Sequence, residues 1–154
     1  MGFPKEKEVL EGLKTKGCVI EEKPTNEARR IFTLGELWME RIFPDLWYML
    51  DYVGIIRCDD CEGEPYKNMY GIHQEFMHGE DSYHVILFDV CAFERGETQY
   101  ERIALATEVF LHELAHFASW EHNEKFFEYL DYLIRKFNDE TNIKVENTYN
   151  TDGM

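Results

Sequence analysis

Positive charge is scarce in this chain. Of its 154 residues 16 are Lys or Arg against 31 Asp or Glu, giving a formal charge of −15. The basic residues adjoin only as Arg29-Arg30 and Arg135-Lys136. Neutralising a phosphate backbone needs a grouped basic footprint, so no nucleic-acid partner is expected. The acidity reads first as a solubility device and second as an attraction for cationic partners. Long apolar runs are also missing. None approaches the length of a bilayer-spanning helix, and "MGFPKEKEVLEGLK" has no apolar stretch of the kind a secretion signal carries. Glu6 stands where N-myristoylation wants Ser or Thr. These absences predict a cytoplasmic protein without membrane association. Cysteine is sparse too, with four residues, and outside a secretory route they are expected as thiols. No internal repeat or low-complexity block is present.

What is there suffices for one core, with 44% apolar and 15% aromatic residues. The one compositional shift is the polar end "NDETNIKVENTYNTDGM". A single domain over 1–138 and a polar, flexible tail over 139–154 are therefore expected. Residues 5–16 read as a short helix, and "CVIEE" as a short strand. After Thr25, a plausible N-cap, apolar residues recur at Ala28, Ile31, Phe32, Trp38, Met39 and Ile42, which predicts a helix over 26–43 that Pro44 interrupts. "DLWYML" adds a turn or two. Three β-rich runs follow at 52–58, 68–76 and 82–90. Helical patterning returns from about Thr98 to Ser119. Asn123 then reads as the N-cap of a last helix, "EKFFEYLDYLIRKF", with an inward stripe of Phe126, Leu130, Leu133 and Phe137. Strands followed by two helices predict an α+β domain with a three- to four-stranded sheet.

The segment "VFLHELAHFASWEHNEKFF" (109–127) carries the chemistry. On a helix, His112 and His116 stand on one face about 6 Å apart along the axis, so two imidazoles can share one ion. Glu113 is rotated by about 100° and can reach a water at that ion, the position of a general base. A catalytic site needs a third protein ligand and an open fourth position. His122 is the first candidate. On a straight helix it would lie about 9 Å further along the axis and be rotated by about 240°, so the helix has to end soon after His116. "SWEH" is then the corner that swings His122 back.

"HELAHFASWEHNEKFF" resembles the active-site segment of zincin metallopeptidases, and its spacing is similar to the SprT-like and YgjP-like group. The resemblance implies Zn2+ at His112, His116 and His122, Glu113 as base, and a peptide or protein substrate. It also implies an edge strand that holds the substrate backbone, for which "SYHVILFDV" (82–90) occupies the matching place; that stretch reads equally as a buried strand. The metzincins share the His spacing but have Gly where this chain has Ser119, and no methionine follows His122 before Met154. The gluzincin pattern would instead make Glu121, Glu124 or Glu128 the third ligand. Tyr83, Tyr129 and Tyr132 are open candidates for stabilising an oxyanion. Glu108, one turn before His112, is either a partner for a ligand imidazole or an exposed helix glutamate.

Cys58-x2-Cys61 with His73 and His78 comes within one residue of a zinc-finger spacing, so a second, structural ion is a further reading beside a disulfide or redox pair and ordinary loop thiols. His84 reads as structural, and Cys18 and Cys91 as small buried residues. Two other functions stay open. One is a metal-dependent ribonuclease resembling YbeY, which has Gly in place of Glu113; the other is a non-catalytic binder of peptides or proteins with the zincin fold.

Overall fold

The computed structural model describes residues 3–15, 20, 23–57 and 70–148. Cys18, Cys58, Cys61, most of "CVIEE" and the last six residues lie outside the described ones. The elements run α1 (Glu6–Thr15), α2 (Asn26–Ile42), α3 (Pro44–Trp47), β1 (Tyr52–Ile56), β2 (Gly71–His78), β3 (Asp81–Asp89), a 3-10 turn (Val90–Phe93), α4 (Gln99–Ala115) and α5 (Glu124–Glu140). The domain is α+β, as its alternating and then helical patterns predict. No helix among the described residues is long and apolar enough to cross a membrane.

Side-chain alternation builds the sheet. In β1, Val53 and Ile55 point to one face and Tyr52 and Ile56 to the other; in β3, Ile86 and Phe88 oppose Val85 and Leu87. One face meets α2, α4 and α5 in the main core, while the other is covered by Val9 and Leu13 of α1. β3 is the central strand, parallel to β1 and antiparallel to β2. Gly79, at φ 67°, opens the two-residue turn between β2 and β3, a conformation that costs glycine little.

This order corrects the sequence reading of 82–90 as the substrate-holding edge. β3 is paired on both sides over residues 85–88, and among the described residues the strand near the motif with a partner on one side only is β2. The carbonyl of Tyr70 accepts from Asp89 N–H at 2.9 Å. Alternation along an antiparallel pair then turns the backbone groups of Gly71, His73 and Glu75 away from β3.

The helices follow their caps. Thr25 accepts from Ala28 N–H at 3.2 Å to start α2, and Thr98 accepts from Glu101 N–H at 3.1 Å to start α4. α2 and α4 lie close because position 35 is glycine. A Cβ there would meet the Phe110 ring at 2.5 Å.

The polar end behaves differently from its composition. α5 continues to Glu140, and residues 141–148 fold back as a strap rather than a free tail. Val145 is buried, and Asn138 holds it by accepting from Val145 N–H at 2.8 Å and donating to its carbonyl at 3.0 Å. Thr148 reaches Glu108 on α4. Side-chain to backbone bonds of this kind, with Ile143 and Val145 packed on the main core, order a segment that is otherwise polar.

Gly35→Ala is expected to destabilise the chain. The steric cost of overfilling the α2–α4 contact, about 1–3 kcal/mol, exceeds the gain of about 0.5–1 kcal/mol from a less flexible helix residue. A fall of about 3–6 °C in thermal midpoint follows, and an unchanged or raised midpoint by calorimetry would show that Phe110 moves freely.

Candidate metal centre

α4 enters the core near its middle and stays buried to its end; His112, Glu113 and His116 are each 9% exposed or less. The helix then tightens. His116, Phe117 and Ala118 donate to the carbonyls of Glu113, Leu114 and Ala115, each three residues back, at 3.2, 3.0 and 2.9 Å. Such i→i+3 bonds are a common way for a helix to end. α4 therefore stops at Ala115, four residues before the Ser119 suggested by its apolar pattern and where convergence of the histidines requires.

Ser119 organises the corner. Its Oγ accepts from Glu121 N–H at 3.2 Å and from the Asn123 side-chain amide at 2.9 Å. Asn123 caps α5 by accepting from Phe126 N–H at 3.0 Å. The backbone carbonyl of Ser119 accepts from His116 Nδ1 at 2.9 Å, which puts the proton on Nδ1 and leaves the Nε2 lone pair of His116 available.

The corner returns His122 to α4. His122 Nε2 lies 3.2 Å from His112 Nε2, and the three imidazoles offer nitrogens that all lie within 4.8 Å of one another. The fit to a metal can be tested directly. Two nitrogens bound tetrahedrally at about 2.0–2.1 Å stand about 3.3 Å apart, close to the observed separation. All three rings also rest on Phe126, with centroids 4.6–4.9 Å away. Burial pushes the imidazoles below their usual pKa, His112 to about 3, so they stay neutral and keep their lone pairs near pH 7. Glu121, Glu124 and Glu128 are exposed and stand outside this cluster.

Glu113 lines the same cleft, an open space of about 300 Å³ walled also by Gly71, His73 and Trp120. Its Oε1 is 3.9 Å from His116 Nε2. Burial pushes its carboxyl up to about 8. With His116 held neutral, that contact is not an ion pair; a cation at the histidines would favour the ionised carboxylate instead. Gly71 lets strand and helix come this close, since a Cβ there would meet Val109 at 2.9 Å and Glu113 Oε2 at 3.3 Å.

Several sequence-based candidates fall elsewhere. Tyr83 is on the α1 side of the sheet, donating to Glu8 at 3.0 Å. Tyr129 and Tyr132 stack on each other along α5, and neither lines the cleft. Glu108 is buried, neither exposed nor a ligand partner, because its carboxylate accepts from Thr148 N–H and Oγ–H at 2.7 and 2.6 Å. Burial raises its pKa, and those two donors oppose the rise. His73 and His78 are five residues apart on one strand and so face opposite sides of the sheet, which separates the two histidines of the finger-like spacing. Cys91 is half-buried, its thiol pushed up to about 12, mainly by burial.

The sequence reading missed His73 as a neighbour of the motif. Its ring packs on Phe117 and Trp120, with centroids at 4.4 and 4.9 Å. The periodicity of β2 and the approach of α4 bring it there, neither of which local spacing reveals.

Ser119→Ala removes the hub of the corner. Losing two partly exposed hydrogen bonds is expected to cost about 1 kcal/mol and to speed hydrogen exchange at the Glu121 amide. Urea unfolding with an unchanged midpoint would mean that the corner is held without Ser119.

Residues 94–154 match the family model described as the WLM domain, a span that takes in α4, the corner, α5 and the strap. No curated protein and no solved structure matches the chain. The WLM domain is related to the SprT-like and zincin-type metalloproteases, so the part of this chain that brings three histidines and a buried glutamate together is similar to a domain associated with metal-dependent, peptidase-like proteins.

Proposed function

We propose that the chain is a zinc-dependent metallopeptidase that hydrolyses peptide bonds, with His112, His116 and His122 as metal ligands and Glu113 as general base. The observation that carries this reading is the convergence of the His112 and His122 Nε2 atoms, 3.2 Å apart, beside a buried carboxylate in an open cleft. The likeness of residues 94–154 to a metalloprotease-related domain supports it independently.

When bound, zinc supplies Lewis acidity that makes water a competent nucleophile near neutral pH and polarises a carbonyl. Three neutral imidazoles suit a borderline-soft divalent ion, which His112, His116 and His122 would hold at the edge of the cleft. His116 is held in the ligating tautomer by the Ser119 carbonyl. Glu113, 3.9 Å from His116 Nε2, is placed to take a proton from water in the cleft and return it to the departing amine. Among the described residues β2 has a strand partner on one side only, and the outward-turned backbone groups of Gly71 and His73 offer a place where an extended peptide can add as a further strand. Substrate would then lie along the wall of the cleft that faces Glu113.

Glu113→Gln is expected to keep one zinc per chain by elemental analysis while cleavage of a peptide library falls at least about 100-fold, the usual contribution of a general base. His122→Ala is expected to lose the zinc as well as the activity. Cleavage by wild-type protein that persists after exhaustive chelation would rule out the metal mechanism, and a Glu113→Gln protein as active as wild type would remove Glu113 from it.

A further inference from the structure

The carbonyl of Glu113 has an unusual set of partners. Were α4 to continue, it would accept from Phe117 N–H, four residues on. Phe117 donates instead to Leu114, and Glu113 receives His116 N–H at 3.2 Å together with His73 Nδ1 at 2.8 Å. A side chain from β2 thus stands where the next turn of helix would have placed a backbone donor. His73 is almost wholly buried.

The chain of contacts behind it fixes its proton. A carbonyl can only accept, so Nδ1 of His73 carries the hydrogen and Nε2 of the neutral ring is an acceptor. That Nε2 faces His84 Nδ1 at 3.4 Å, and His84 Nε2 faces the Glu75 carboxylate at 3.2 Å. Trp120 lies parallel to the His84 ring, 10° between planes with centroids 6.1 Å apart. Because Nε2 has no proton, His73 has none to offer a substrate oxygen, although it lines the cleft. The polar contact it makes with the motif is the bond to the Glu113 carbonyl.

We propose that His73 is a positioning residue of the metal centre: its Nδ1–H closes the end of α4 at the Glu113 carbonyl and so sets the angle at which the corner brings His122 back to His112. The His84 ring, with its centroid 5.6 Å from that of His73, packs beside it and limits its orientation. The inference rests on the reading of His112, His116 and His122 as a metal site.

The test uses the full chain loaded with Co2+ or Zn2+, and two variants. His73→Phe keeps the ring that packs on Phe117 and Trp120 but lacks the donor; His73→Asn puts an amide N–H near the place of Nδ1. His73→Phe is expected to bind Zn2+ about 10-fold more weakly in a chelator competition and to shift the visible Co2+ bands, with His73→Asn recovering most of both. Wild-type affinity and spectrum in His73→Phe would overturn the proposal, as would a folded His73→Asn no better than His73→Phe. Imidazole 15N spectra of the unaltered protein keep the question open to a test if the Phe variant fails to fold: the Nδ1–H tautomer at His73 supports the proposal and the Nε2–H tautomer sinks it. A wild-type chain that takes up neither metal would instead remove the metal-site reading beneath it.

Discussion

The geometry of the site depends on one limit of the α-helix. Two histidines four residues apart share a face, but a third six residues further on cannot join them unless the helix has stopped. The tightened bonds of residues 116–118, the Ser119 hub and the Asn123 cap all act in the few residues where that stop has to occur. Because α5 restarts at once, Phe126 comes beneath all three rings and gives them an apolar floor. Position of the ligands and packing of the core are thus set by the same turn.

The sheet contributes from the other side. Its central strand supplies the apolar surface on which α4 rests, and β2 supplies what is polar: the glycine that admits the Glu113 carboxyl and the histidine that meets the Glu113 carbonyl. Strand and helix therefore touch the same residue at its two ends. A carboxyl buried in such a place is costly in its charged form, a cost that a cation at the histidines would offset.

Much of this was legible in the chain itself. The i,i+4 pair, the need for a break after His116 and the cap at Asn123 are local, and local rules found them. So did the apolar stripes of α2 and α5, which end close to where their periodicity does. Strand order was not legible, because period-two patterning says which face a residue takes and nothing about which strand lies in the middle. Period-two patterning therefore leaves 82–90 free to be an edge, and local spacing groups His73 with the Cys58-x2-Cys61 pair and not with Glu113, which lies forty residues away. Glu108 and the strap failed for a related reason. Polar residues that satisfy one another over a long separation look the same in sequence as polar residues that face water.

The bond between Thr148 and Glu108 bears on where the domain can be said to finish. The last helix ends at Glu140, and a boundary drawn by secondary structure would fall there. Cut at that point, the fragment would keep every histidine of the motif, yet it would expose a carboxylate one turn upstream of His112 that the intact chain shields with two donors from a segment having no helix or strand of its own. Packing around α4 thus reaches past the last regular element of the chain.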